Sequence, residues 1–183
     1  MIVKTFFAGF GGQGVLSMGY TLAYSGMLDD KYVTYFPSYG AEVRGGTANC
    51  TVSVGDEEIA SPIASEPDYI VAMNKPSLLK FATWVSAGGM LFFNSSLIAE
   101  RPARGDIEVV EVPANELAKE VADERSANMI MLGALVAKTG IVGAEAMEQA
   151  IGRIFAKKKK ALEANLLAFQ RGAAMFKNGG SGK

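Results

Sequence analysis

Apolar and polar positions alternate along the chain in two different rhythms. "IVKTFFA" (Ile2–Ala8) is a nearly unbroken apolar run and predicts a buried strand. From Gly14 the small or apolar residues Val15, Met18, Gly19, Leu22, Ala23 and Gly26 follow helical spacing and predict a helix with one buried face. Gly19 and Gly26 each cost that helix about 1 kcal/mol of propensity, which close approach to a sheet would offset. "YVTYF" (Tyr32–Phe36), "DYIVAMN" (Asp68–Asn74), "GMLFFN" (Gly89–Asn94) and "IEVVEV" (Ile107–Val112) read as further strands. A short helix opened by Pro76 is predicted between Asp68–Asn74 and Gly89–Asn94, over Lys75–Trp84.

"TANCTVSVGDEEIA" has a period of two instead. Thr47, Asn49, Thr51 and Ser53 alternate with Ala48, Cys50, Val52 and Val54, as in a strand with one polar face. Gly55-Asp56 predicts a hairpin turn, so this segment is expected to be an antiparallel insertion in a mostly parallel sheet. The last third is helical. One helix is expected to start with Asn115 as its cap and to bury Leu117, Ala118, Val121 and Ala122. Asn128–Thr139 is apolar on all sides and stops at Gly140. Two stripes follow, Met147, Ala150, Ile151, Ile154, Phe155 and then Leu162, Leu166, Phe169, Ala173, Phe176. The fold class is therefore α/β: a Rossmann-like, mostly parallel sheet flanked by helices, with an antiparallel hairpin insertion and a helical C-terminal part. One domain over residues 1–177 and a flexible tail over 178–183 are expected.

Charge and composition remove several function classes. The net charge of -1 over 183 residues offers no general basic field for nucleic acid. No apolar run approaches the roughly 20 residues of a membrane span. The N-terminal run leads straight into a strand-and-loop pattern and not into a cleavage site, so a cytoplasmic location is expected. Cys50 is the single cysteine and there is no histidine, so this chain alone has too few thiolates for an iron–sulfur cluster and lacks the commonest neutral-pH base. Cys50 falls on the apolar side of its strand and reads as an inert buried thiol. Lys157–Lys160 read as a solvated helix face. Tyr35, Phe36 and Tyr39 are candidates for an aromatic interface patch, with core burial equally open to the first two.

"AGFGGQGVLSMG" places Gly9, Gly11 and Gly14 in G-x-G-x-x-G spacing between the first strand and the first helix. Such a turn brings backbone N–H groups close to an anion at a helix N-terminus. A dinucleotide site also needs an acid at the end of the second strand. That strand ends in "TYFPSYG", and Asp29 and Asp30 lie at its other end. A nicotinamide site, a turn without a ligand and an adapted anion site all remain open from the turn alone. The next loop, "PSYGAEVRGGTANC", adds an irregular glycine-rich segment carrying Glu42 and Arg44. Arg44 has a planar five-donor fork suited to carboxylate or phosphate; a surface pair with Glu42 is the plain alternative.

"GFGGQGVLSMGYTLA", then "FPSYGAEVRGGTANCTV", then "PDYIVAMN" resemble the gamma subunit of the 2-oxoacid:ferredoxin (acceptor) oxidoreductases over nearly the whole chain. The signature is intact at Ser38, Tyr39, Gly40, Glu42, Arg44, Gly45 and Gly46. The resemblance implies a part in oxidising a 2-oxoacid with coenzyme A to acyl-CoA, carbon dioxide and reduced ferredoxin. It implies alpha and beta thiamine-binding subunits and a ferredoxin-like subunit as partners, with ferredoxin as acceptor. Thiamine diphosphate and the iron–sulfur clusters would sit in those partners, and this chain would not be active alone. It would help hold coenzyme A. Sheet geometry and the resemblance together give the cofactor-facing candidates Gly9, Gly11, Gly12, Gln13, Gly14, Ser38, Tyr39, Arg44, Asn74 and Asn94, with no catalytic residue and no metal ligand. If the apolar strands are parallel, these positions share the carboxyl edge of the sheet. Gly11–Gly14 would act through backbone amides, Arg44 through charge, and Asn74 and Asn94 as neutral hydrogen-bonding groups. The short form with this loop resembles 2-oxoglutarate and branched-chain enzymes more than pyruvate enzymes. A free-standing nucleotide-binding dehydrogenase and a scaffold subunit without ligand are the alternatives.

Overall fold

A computed structural model of the protein describes residues 1–39 and 47–177. Six strands form one sheet: β1 (Ile2–Phe10), β2 (Tyr32–Tyr39), β3 (Thr47–Gly55), β4 (Tyr69–Ala72), β5 (Met90–Asn94) and β6 (Glu108–Val112). Their order across the sheet is β2-β3-β1-β4-β5-β6. β1, β4, β5 and β6 are parallel, and β3 runs antiparallel to both of its neighbours, β1 and β2. The α/β class and the antiparallel insertion are as expected.

The position of the hairpin differs from the expectation. Gly55-Asp56 is not a hairpin turn. β3 pairs with the strand before it, and residues 40–46 between the two lie outside the described residues. After Gly55 the chain leaves the sheet and reaches β4 on the far side of β1. Asp56 instead receives the Lys31 ammonium and lies near the N-terminal amine. The hydrogen bond with Lys31 and its positive charge hold the Asp56 carboxyl below the usual range.

Side-chain alternation divides the sheet into two cores. On one face Phe7, Cys50, Val52, Val71 and Phe92 meet the helices α1 (Val15–Leu28), α3 (Ala114–Val121), α4 (Ala127–Thr139), α5 (Ala144–Ile154) and α6 (Lys159–Lys177). On the other, Phe6, Ala8, Ile70, Leu91 and Phe93 meet α2 (Lys75–Phe81), which runs on into a single 3-10 turn, Ala82–Trp84. The polar side of β3 faces this second layer, where Phe36 of β2 is 45% exposed beside Ile63 and Trp84. Tyr35, on the opposite side, is half-buried and its hydroxyl donates to the Leu16 carbonyl.

The predicted close approach of α1 is present. A Cβ at Gly26 would lie 2.8 Å from Val33 Cγ2, and one at Gly19 would meet Cys50 Sγ and sit 3.0 Å from Tyr35. Cys50 is fully buried, and burial pushes its thiol up to about 12. α4 is buried on every side from Ala127 to Val136 and ends at left-handed Gly140, φ 64. α6 crosses it backbone to backbone: a Cβ at Gly133 would strike the Phe169 carbonyl, and one at Gly172 the Ile130 carbonyl. α3 corrects another expectation. It starts at Ala114 with Pro113 as cap, so Asn115 lies inside the first turn, and Ala122 is exposed. No helix among the described residues is long and apolar enough to cross a membrane.

Gly172→Leu is expected to destabilise the fold by about 3 kcal/mol or more, because the backbone carbonyl of Ile130 stands in the way of the added side chain and cannot yield. Gly152→Ala, with nothing within 4 Å of the added methyl, is expected to stabilise by about 0.5–1 kcal/mol. Denaturant unfolding checks both. The Cys50 thiol is expected to resist a thiol reagent at pH 8 in native protein and to react fully after unfolding. Because the unfolded thiol ionises near pH 9 and the folded one near 12, stability from this group is complete below about pH 9 and falls as pH rises beyond it.

Candidate functional site

The carboxyl ends of the four parallel strands meet at one edge, where the register aligns Ala8 with Ala72, Ala72 with Phe93, and Asn94 with Val112. The glycine turn sits there. Gly9 is buried, and a Cβ on it would lie 2.7 Å from Val15 and 3.0 Å from Met73. Gly11 and Gly12 are exposed. Gly12 has φ 94 with open space around it, and Gly14 has φ 71 as the cap of α1. Both are left-handed conformations that favour glycine. A Cβ on Gly14 would strike the Asn128 carboxamide, which donates to the Gly14 carbonyl at 3.4 Å. No side chain caps α1, and its first turn carries no acid. The dipole end and the first-turn amides are thus available to a negative group.

Neutral carboxamides tie the edge together. Gln13 Oε1 accepts from the Phe10 amide and from Asn74 Nδ2, each at 2.8 Å. Asn74 Oδ1 accepts from the Ser77 amide at 2.9 Å and so caps α2. Asn94 is fully buried; its Nδ2 donates to Asn115 Oδ1 at 2.7 Å and its Oδ1 accepts from the Ala114 amide at 3.2 Å. Gln13 and Asn94 both donate to the carbonyl of Met73. Asn74 and Asn94 therefore lie at the edge as expected, but their amide groups fasten loops and Asn94 has no exposed surface. Gly9 likewise supports the turn from beneath.

Ser38 is exposed near the end of β2, and Tyr39 is its last residue. Arg44, with Gly40, Glu42, Gly45 and Gly46, lies outside the described residues. A cavity of about 200 Å³ opens beside the turn, lined by Gly12, Gln13, Met73, Asn115, Arg125 and Asn128 among others. Arg125 also lines a larger concavity of about 540 Å³ with Lys158, Lys159 and Lys160. Sequence reading missed Asn115, Arg125 and Asn128 as site residues. The residue types carried no signal, because only the fold brings the start of α4 to the glycine turn. Among the described residues no group of three or more His, Cys, Asp or Glu is placed to hold a metal.

A family model described as pyruvate ferredoxin/flavodoxin oxidoreductase matches residues 4–175. Ketoisovalerate oxidoreductase subunit VorA of Methanothermobacter thermautotrophicus is 40% identical over 173 residues, covering 93% of this chain and 36% of the relative. The chain thus spans about a third of that relative's length. A solved 2-oxoglutarate:ferredoxin oxidoreductase from Magnetococcus marinus, with 2-oxoglutarate, coenzyme A and succinyl-CoA bound, superposes with TM-score 0.88 at 25% identity, over 97% of this chain and 31% of that one. The gamma subunit of a keto/oxoacid ferredoxin oxidoreductase from Geobacter sulfurreducens superposes with TM-score 0.76 at 29% identity, over 94% of this chain and 99% of that one.

Asn94→Ala is expected to cost about 2–3 kcal/mol, because it strands the buried Ala114 amide and removes the donor to the side-chain oxygen of Asn115. Equilibrium unfolding measures the loss. Loosened exchange protection confined to the start of α3 would mark its origin.

Proposed function

The chain belongs to the pyruvate ferredoxin/flavodoxin oxidoreductase family, and from that premise we propose that it is the gamma subunit of a multi-subunit 2-oxoacid:ferredoxin oxidoreductase. The complex converts 2-oxoacid, coenzyme A and oxidised ferredoxin to acyl-CoA, carbon dioxide and reduced ferredoxin. The observation that carries this reading is the family match over nearly the whole chain, on a fold whose glycine turn opens onto an uncapped helix. A single cysteine and no histidine suit a chain whose redox and thiamine chemistry is supplied by partners. Those partners are the alpha and beta thiamine-binding subunits and a ferredoxin-like subunit, with ferredoxin as the acceptor. The half-exposed Phe36 and the neighbouring Ile63 and Trp84 give them an apolar surface to cover. The substrate is a branched-chain 2-oxoacid or 2-oxoglutarate, in line with the ketoisovalerate relative and the 2-oxoglutarate structure.

Coenzyme A fits the carboxyl edge of this chain. Its thiol takes up the acyl group. The chain's part is to bind and orient it. Gly11, Gly12 and Gly14 present backbone amides and Gln13, whose own amide donates to the Phe10 carbonyl at 3.1 Å, braces the turn. Ser38 lines a separate hollow with Phe36 and Trp84, and Arg44 supplies charge. Gly9, Asn74 and Asn94 hold that arrangement from behind. A nicotinamide dehydrogenase is less well supported on two counts. β3 lies between β1 and β2, placing the end of β2 about 10 Å from β1, two strand spacings in place of one. Asp29, in the turn before β2, accepts from the Gly143 amide at 2.9 Å at the opposite edge.

Purified alone, the chain is expected to be colourless, to turn over no 2-oxoacid and to bind no nicotinamide dinucleotide. In the assembled complex Arg44→Ala is expected to weaken coenzyme A about tenfold, the value of one lost charge-assisted contact. Titration of the complex checks this. Unchanged affinity would leave the scaffold reading in its place.

A further inference from the structure

We propose that the basic concavity beside the start of α6 is a phosphate subsite, which takes the phosphorylated nucleotide end of the coenzyme. The proposal rests on the reading of the carboxyl edge as a coenzyme A site, and assigns side chains to the part of the ligand farthest from its thiol.

The charge there is local and exceeds its counter-charge, although Asp123 pairs with Arg125 and feels the charge of Lys160. Lys31, Lys75, Lys119 and Lys138 each meet a carboxylate. Lys158, Lys159 and Lys160 form no such pair among the described residues, and all three line one hollow. With Arg125 they set four cations against the single carboxylate of Asp123, in a chain whose net charge is -1. In a concavity the field is focused, and an anion is drawn to it.

The remaining lining suits a nucleotide more than a protein surface. Arg125 Nε and Nη2 donate to Asp123 at 3.3 and 3.0 Å, which fixes the plane of the guanidinium and leaves Nη1 outside that pair. The hydrogen bond from Arg125 keeps the Asp123 carboxyl below its usual range, so it stays ionised to orient the fork. Ala161 and Ala164 provide a small apolar floor, and Asn165 adds a carboxamide for hydrogen bonding to a base or sugar. At about 540 Å³ the hollow has the size of a small-molecule site. Arg125 also lines the cavity at the glycine turn, so the two volumes share a wall. A ligand with its pyrophosphate at the turn reaches the lysines with its 3′-phosphate by continuing along the same edge.

The test compares coenzyme A, 3′-dephospho-coenzyme A and pantetheine as ligands of the assembled complex, wild type and with Lys158→Ala, Lys159→Ala and Lys160→Ala combined. The three positions are exposed, and circular dichroism confirms that the variant is folded. The wild type is expected to prefer coenzyme A over the dephospho form. The variant is expected to lose about tenfold or more for coenzyme A, to lose most of that preference, and to keep its pantetheine affinity. Unchanged coenzyme A affinity overturns the subsite, as does an equal loss for pantetheine. Failure of the folded variant to join its partner subunits also overturns it and marks the lysines as a contact for an acidic protein surface. If Arg44→Ala still weakens the coenzyme while the lysine variant does not, only the subsite falls. If neither variant changes affinity, the coenzyme reading of this chain falls with it.

Discussion

The carboxamides of Gln13 and Asn94 are the groups on which the carboxyl edge depends, and both point at the Met73 carbonyl, at 3.4 and 3.5 Å. That carbonyl lies just past the end of β4. Gln13 also fixes the glycine turn, and Asn94 reaches Asn115 and the start of α3. Parallel strands deliver several loops to one edge, but nothing in a parallel sheet fixes those loops relative to one another. Here short neutral side chains do so. Because they are amides, they brace the turn without adding charge, and the positive end of α1 is left as the nearest electrostatic feature.

That choice of bracing agrees with what the turn lacks. An acid in the first turn or a side-chain cap would satisfy α1 internally and occupy the place an anionic ligand would take. Neither is present. Gly12 faces open space in a backbone conformation that other residues adopt only with strain. The turn is thus rigid where it meets Asn74 and Asn128 and bare where it meets solvent. Such division is what binding through backbone amides requires, since the amides must be fixed before the ligand arrives.

Much of the fold was legible because burial writes itself into residue type. The apolar runs at Ile70–Ala72 and Leu91–Phe93 are strands buried on both faces, and the polar alternation of Asn49, Thr51 and Ser53 marks the side of β3 away from α1. Strand order was not legible. Nothing in Gly55-Asp56 distinguishes a turn into a neighbouring strand from an exit toward a distant one, and only pairing with both β1 and β2 settles it. Asn115 looked like a cap because asparagine commonly is one; its carboxamide is drawn instead to Asn94, a contact between residues far apart in sequence. Of the site, the glycine positions were readable from spacing. Asn128 and Arg125 were not, since their relevance comes from α4 meeting the turn across the fold.

The order of strands also sets this sheet apart from those of dinucleotide proteins that share the fingerprint. In a nucleotide-binding sheet the first and second strands are neighbours, so one ligand spans the turn after the first and an acid after the second. Inserting β3 moves the second strand outward while leaving the turn and its helix intact. The phosphate-attracting half of the fingerprint therefore keeps its place, while the end of the second strand lies two strand spacings away from it. A ligand held at such a turn must find its second anchor elsewhere along the edge. The nearest concentrated charge among the described residues lies on the α4–α6 side, where Arg125 borders the cavity at the turn.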